Sequence, residues 1–390
     1  MALKHSRSDF VNERLRHIQE NDLYRKMRKV VVRGSSMAVV DGKEAIHLCS
    51  NDYLGLSHNQ TVSREALKAL DEVSQCSSRL IAGNHPGISE LEGMLAKHRK
   101  TEAALIFPTG YMANLGAITV LADKDTTIMS DELNHASIID ACRLSGAAIK
   151  VFKHNDVEHL EDLMGRTGGR IIVVTEGIFS MDGDLSQLRK ICKIAHEHMA
   201  LTILDDAHGD FIVGPDYSGV ASLLKADVDV HVSSLSKGLG CFGGYVAASA
   251  QTVDLLINTS RQFIYTSALP RHLCSAAAEA FRLAKLGNLQ KRLHTNVMFL
   301  RGQLKSAGFA IGSSNSQIIP VMIGPENLAL EFSTELLEAG VYAQAVRYPT
   351  VRRGDARLRL SVTAEHTRKQ LSKALEALRL VGVKKGLISP

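Results

Sequence analysis

Between about residues 60 and 250 the sequence alternates short apolar runs with helical stretches, and few folds accommodate that pattern. The runs are Ala103–Phe107, Thr127–Met129, Ile149–Phe152, Ile171–Thr175, Leu201–Leu204, Val228–Ser233 and Tyr245–Ala248. Several are almost wholly apolar, as expected of strands covered on both faces of a sheet. Alternating β and α segments predict an α/β domain with a mostly parallel sheet. Ligands of such sheets sit beyond the carboxyl ends of the strands, so the polar residues that follow each run are the candidates for chemistry.

The flanks differ. Residues 8–30 have helical periodicity through Phe10, Val11, Leu15, Ile18 and Leu23. A hairpin is predicted from Val30–Arg33 and Met37–Val40, then a strand at Ala45–Cys49 and a turn-rich loop at Ser50–Leu56. A long helical stretch over 270–306 leads to strands at Ile318–Ile323, Val341–Ala345 and Leu358–Val362 and helices at Leu328–Ala339 and Thr367–Leu380. This predicts a smaller α+β domain at the C-terminus, to which the N-terminal segment contributes. The expected division is an arm over 1–57, a large domain over 58–285 and a small domain over 286–390. The net charge of +5 is scattered, which argues against nucleic-acid binding. The six cysteines form no C-x-x-C pair or zinc spacing and read as reduced thiols. The N-terminus has no signal-like apolar stretch, and no run approaches the roughly 18 apolar residues of a membrane span. A cytoplasmic protein is the expectation.

Five segments after successive runs carry possible chemistry. Lys237 lies in Ser233–Gly238, among hydroxyls and glycines; alone this is an ordinary Gly-rich turn, but such a lysine can form an imine with an aldehyde cofactor. Asp205 ends an apolar strand, where a carboxylate is costly unless it meets a positive partner such as a pyridinium N–H. His208 follows it. Thr109 and Gly110 join a strand to a helix whose N-terminus suits a phosphate. His135 could stack on a flat ring, and Ser180 could hydrogen-bond one. Each has a plain alternative as a cap or turn residue; their convergence on one sheet favours a cofactor site.

The segments SNDYLGL (50–56), PTGYMAN (108–114), D-x-x-x-H-A-S (131–137), TEGIFSMDGD (175–184), LDDAH (204–208), SSLSKGLG (233–240) and RYPTVRRGDARLRL (347–360) resemble the α-oxoamine synthases. These are fold-type I enzymes dependent on pyridoxal 5′-phosphate (PLP), and the resemblance covers nearly the whole chain. It implies that Lys237 carries PLP as a Schiff base, Asp205 pairs with the ring nitrogen, His135 stacks on the ring, and Ser180 and His208 face its phenolic side. Gly110, Tyr111 and Ser234 would bind phosphate, with Thr266 or Ser267 reaching the neighbouring subunit's phosphate in a homodimer with shared sites. Arg359 would hold the amino-acid carboxylate, and Asn51, Thr350 and Arg25 would lie around the substrates, an amino acid and an acyl-CoA or acyl-carrier thioester. Within the family the segments lean toward condensation of L-alanine with a pimeloyl thioester. A sister synthase using glycine or serine, an aminotransferase and a silent PLP-fold subunit are the competing expectations. Three departures stand out: Asp210 and Phe211 occupy positions where the family commonly carries small residues, Ile88 stands where many members carry histidine, and Arg352 stands where proline is common. All are expected to bear on substrate choice.

Overall fold

In a computed structural model describing residues 8–21 and 23–390, all seven runs are strands of one sheet. Their spatial order is Ala103–Phe107, Gly244–Ala248, Val230–Ser234, Leu201–Asp205, Arg170–Glu176, Thr126–Asp131 and Ala148–Phe152. Gly244–Ala248 runs antiparallel to both neighbours; the other pairs are parallel. Helices cover both faces. Within Arg170–Glu176, Ile172 and Val174 join one apolar cluster while Ile171 and Val173 join another, the period of two that a doubly covered strand requires. The expected α/β class, with a mostly parallel sheet, is what forms.

Several strands extend past the predicted runs into polar residues. Asp131, Glu176, Asp205 and Ser234 each end a strand and each is buried. Pattern reading stops at the first polar residue, whereas the backbone ladder continues.

The C-terminal region builds a three-stranded antiparallel sheet from Ile318–Gly324, Ala356–Ser361 and Ala345–Val346. Val30–Val32, Met37–Val40 and Lys43–His47 form a second sheet, to which Val341–Tyr342 adds in parallel. The N-terminal segment therefore does pair with C-terminal chain. The single strand expected at Val341–Ala345 is instead two short strands in different sheets, because Ala343 and Gln344 carry the chain across. The expected helix over 8–30 is Asp9–Glu20, with Asn21 Nδ2 donating to His17 O at 2.8 Å. The stretch 270–306 is two helices, Arg271–Ala284 and Asn288–Ser306, parted at Gly287. There φ is +77°, and a Cβ would meet Tyr217 Oη at 2.6 Å, so only glycine fits. All six cysteines are unpaired, and no helix among the described residues is long and apolar enough to cross a membrane.

Candidate active site

The residues singled out after the strands converge at the sheet's carboxyl end. Lys237 Nζ lies 3.0 Å from His208 Nε2, and His208 Nδ1 lies 2.7 Å from Tyr53 Oη. Tyr53 is fully buried, donates to Asn51 Oδ1 at 3.2 Å and accepts from Arg359 Nη2 at 3.3 Å. A phenol has one proton. With that proton on Asn51, His208 Nδ1 must donate to Tyr53, which leaves Nε2 as the acceptor for Lys237. Burial, Lys237 and Arg359 together hold His208 well below the ordinary histidine range, consistent with this neutral tautomer. Lys237 is also lowered: burial, with Arg359, outweighs the opposing pull of Asp205.

Asp205 closes its strand with Oδ1 accepting from Ala207 N at 3.0 Å and Oδ2 from Asn114 Nδ2 at 2.6 Å. Asn114 Nδ2 also reaches Ser137 Oγ at 2.9 Å, and that hydroxyl lies 2.8 Å from His135 Nδ1. His135 caps the helix Ala136–Ser145, its Nδ1 accepting from Ser137 N at 3.2 Å. One buried asparagine thus ties the His135 loop to the Asp205 strand. Burial, with a smaller push from Lys237, lowers His135. Glu176 ends the adjacent strand in register with Asp205 and is only 2% exposed.

Arg359 approaches from the C-terminal sheet. Its Nε donates to Ser180 O at 2.5 Å, and Nη1 to Asn51 Oδ1 at 3.1 Å and Ser361 Oγ at 2.8 Å. Among the described residues no carboxylate lies within ion-pair distance of Arg359, so its charge is balanced only by neutral oxygens. Ser180 sits in a turn held from below: His154 bridges Asp131 (3.0 Å) and Asp184 (2.9 Å) and lies edge-on to Phe179 at 4.3 Å. Burial would lower His154, but the two carboxylates win and raise it to about 10.

The helix Gly110–Leu121 starts beside Ser234. A Cβ on Gly110 would stand 3.1 Å from Ser234 Cβ, and one on Gly244 would stand 2.4 Å from Gly110 N. Thr109 Oγ1 caps that helix by accepting from Met112 N at 3.2 Å. Glycine backbone, a hydroxyl and a helix N-terminus meet here, the composition of an anion site. Tyr111 is partly exposed, its hydroxyl on Asp140. Thr266 and Ser267 lie apart, lining a small cavity with Pro108 and Arg79. Arg25 and Thr350, both exposed, line a separate cleft of 1090 Å³ with Met181, Gln344 and Arg347. Met181 follows Ser180, which links cleft and site along the chain.

Sequence reasoning missed Tyr53, Asn114 and Glu176. Tyr53 and Asn114 sat inside segments already quoted, and Glu176 follows an apolar run just as Asp205 does. That placement was the available signal.

The departures at Asp210 and Phe211 face the core, not the substrate side. Asp210 is buried against His98 (3.0 Å), Arg99 (3.0 Å) and Ser233 Oγ (2.8 Å), and Arg99 and His98, with Tyr245, hold its carboxyl well below the usual range against the cost of burial. Phe211 stacks on His98 with ring centroids 4.3 Å apart. Ile88, a further departure, is fully buried in the main core. These residues repack the interior, which corrects the expectation that they bear on substrate choice.

A fold of this topology, with a lysine, an aspartate and a helix-capping histidine beyond the strand ends, defines a class. The chain belongs to the aminotransferase class I and II family, whose model matches residues 43–378. Its relatives are α-oxoamine synthases. It is 39% identical over 388 residues to an 8-amino-7-oxononanoate synthase of Thermoanaerobacter pseudethanolicus, covering 97% of this chain and 98% of the relative. A serine palmitoyltransferase from S. paucimobilis with PLP–myriocin bound superposes with a TM-score of 0.92 at 30% identity, covering 99% of this chain and 100% of that one. An 8-amino-7-oxononanoate synthase structure from Francisella tularensis gives a TM-score of 0.77 at 28% identity, covering 88% and 99%.

Proposed function

We propose that this chain is a PLP-dependent acyltransferase that condenses L-alanine with a pimeloyl thioester, releasing CO₂ and the thiol and giving 8-amino-7-oxononanoate for biotin synthesis. The observation that carries this reading is near-full-length similarity, 39% over 97% of the chain, to an enzyme of that name. The residues present fit the cofactor: a lysine of lowered pKa for its aldehyde, a buried carboxylate for its ring nitrogen, and a glycine–serine helix start for its phosphate.

Bound PLP supplies an electron sink for the substrate's α-carbon. Lys237 would hold the cofactor through its amine and would serve as the base at the substrate's α-carbon, a task its lowered pKa favours. Asp205, fixed by Asn114 and Ala207 N, keeps the ring nitrogen protonated. His135 would cover the ring, and Ser180 and His208 would hold its phenolic oxygen. Gly110, Tyr111 and Ser234 hold the phosphate, with Thr266 and Ser267 acting on a partner subunit's. Arg359 turns a guanidinium edge to the amino-acid carboxylate beside Asn51. Arg25 and Thr350 border the thioester. The chain works as a homodimer: helix Asp9–Glu20 buries none of its residues here and exposes Phe10, Val11 and Leu15, apolar surface that a second copy would cover.

A second reading, a synthase using serine, is favoured by one observation, the higher TM-score to serine palmitoyltransferase (0.92 against 0.77). Steady-state turnover with L-alanine, glycine and L-serine, each with pimeloyl-CoA, decides between them; preference for serine overturns the alanine assignment. Lys237→Ala is expected to lose turnover and the Schiff-base absorbance together. Retained turnover refutes the cofactor anchor.

A further inference from the structure

Glu176 has no place in the scheme above, yet it sits at its centre. It ends the strand Arg170–Glu176 directly in register with Asp205 on the next parallel strand. In-register residues of paired strands point to the same face, and neighbouring strands lie about 4.8 Å apart. Two carboxyl groups are therefore side by side. The two are treated differently by the protein. Asp205 receives donors on both oxygens, from Asn114 and Ala207 N. Glu176 is 2% exposed, and its Oε1 has no hydrogen-bond partner. Around it stand the carboxylates of Asp205 on one neighbouring strand and Asp131 on the other, the Lys237 amine on the loop beyond, and the backbone amide of His135. Burial and the two anions raise Glu176 far above the glutamate range, with Lys237 opposing.

We propose that Glu176 works as a neutral carboxylic acid beside Asp205, so that a single carboxylate, not a pair, faces the cofactor's ring nitrogen. The inference rests on the cofactor reading above and assigns Glu176 as a positioning residue for charge. Like charges this close cannot both ionise, so one proton is shared between two sites. Donors satisfy both oxygens of Asp205, whereas Glu176 Oε1 has none, so the proton belongs on Glu176. With Lys237 bound to the cofactor, an ionised Glu176 would place surplus negative charge beneath the ring.

The test is a pH titration of the bound cofactor's absorbance in the holoenzyme and in Glu176→Gln, an uncharged near-isostere. A neutral Glu176 predicts that the absorbance midpoint stays within about half a unit of wild type. An ionised Glu176 would support the cation at Lys237, so its removal would lower the midpoint by the order of one unit or more, taking an effective dielectric of about 20; that outcome overturns the proposal. A second measurement does not depend on the variant's stability. The infrared carbonyl band of a protonated carboxylic acid should be present in wild-type holoenzyme at neutral pH. Its absence also overturns the proposal. If the wild-type protein shows no cofactor absorbance at all, the cofactor reading itself fails, and this inference with it.

Discussion

His154→Gln tests whether the turn carrying Ser180 is held by charge. His154 spans two carboxylates: Asp131, with a fully buried side chain, and Asp184, whose side chain is 11% exposed. Removing one partner of a buried pair costs about 3–5 kcal/mol. Here the loss is cushioned, because Asp131 also accepts from Leu133 N at 2.9 Å and Asn155 N at 3.1 Å, and Asp184 from Asn155 Nδ2 at 3.0 Å. Glutamine also retains one donor. A destabilisation of about 2–3 kcal/mol is expected, read as a thermal midpoint lower by roughly 2–4 °C. The pH dependence fixes the mechanism. His154 is raised from 6.5 to about 10 in the folded chain. Its contribution is therefore fully present below pH 6.5 and fades as pH climbs toward 10. The gap between wild type and variant should be widest in mild acid and close by pH 10. Because Arg359 Nε rests on the Ser180 carbonyl, a loosened turn should also raise KM for the amino acid more than it lowers kcat. Equal midpoints at pH 6, or a gap independent of pH, would refute the charge clamp.

Arg359→Lys should raise KM for the amino acid by about 10–100-fold while cofactor affinity, followed by absorbance titration, stays near wild type, since a point ammonium cannot replace a bidentate fork; a parallel loss of cofactor would contradict the assignment. Gly219→Ala should destabilise by more than about 2 kcal/mol, because φ is +89° and the new Cβ would fall 1.9 Å from Asp206 Oδ2. An unchanged thermal midpoint would mean that the Arg99–Asp206 pair (2.9 Å) relaxes freely.

The sheet was legible because its strands are apolar on both faces. Ile171–Thr175 and Tyr245–Ala248 have no other sensible use in an α/β chain. Lys237, Asp205, His135 and His208 were legible because chemistry of this kind needs polar groups just beyond such strands. Tyr53 was not: its role comes from contact with His208, 155 positions away along the chain, and no local spacing encodes that. Asn114 and Ser137 likewise meet Asp205 only through tertiary packing. The break at Gly287 escaped the helical pattern because one glycine does not interrupt periodicity, although its fit against Tyr217 makes it the corner. Asp210 and Phe211 looked like substrate-side changes because they follow His208 closely; the backbone turns inward first, and their partners His98 and Arg99 come from a distant helix.

Arg359 has a consequence for timing. It is a cation wrapped in neutral oxygens, and its field helps to hold both His208 and Lys237 low. A carboxylate arriving at the guanidinium would cancel much of that field. A lysine amine freed from the cofactor only when an amino acid has docked would then meet a weaker opposing field and be more basic. Ligand and base would in this way be wired in sequence, the carboxylate that docks the substrate also readying the lysine to accept a proton.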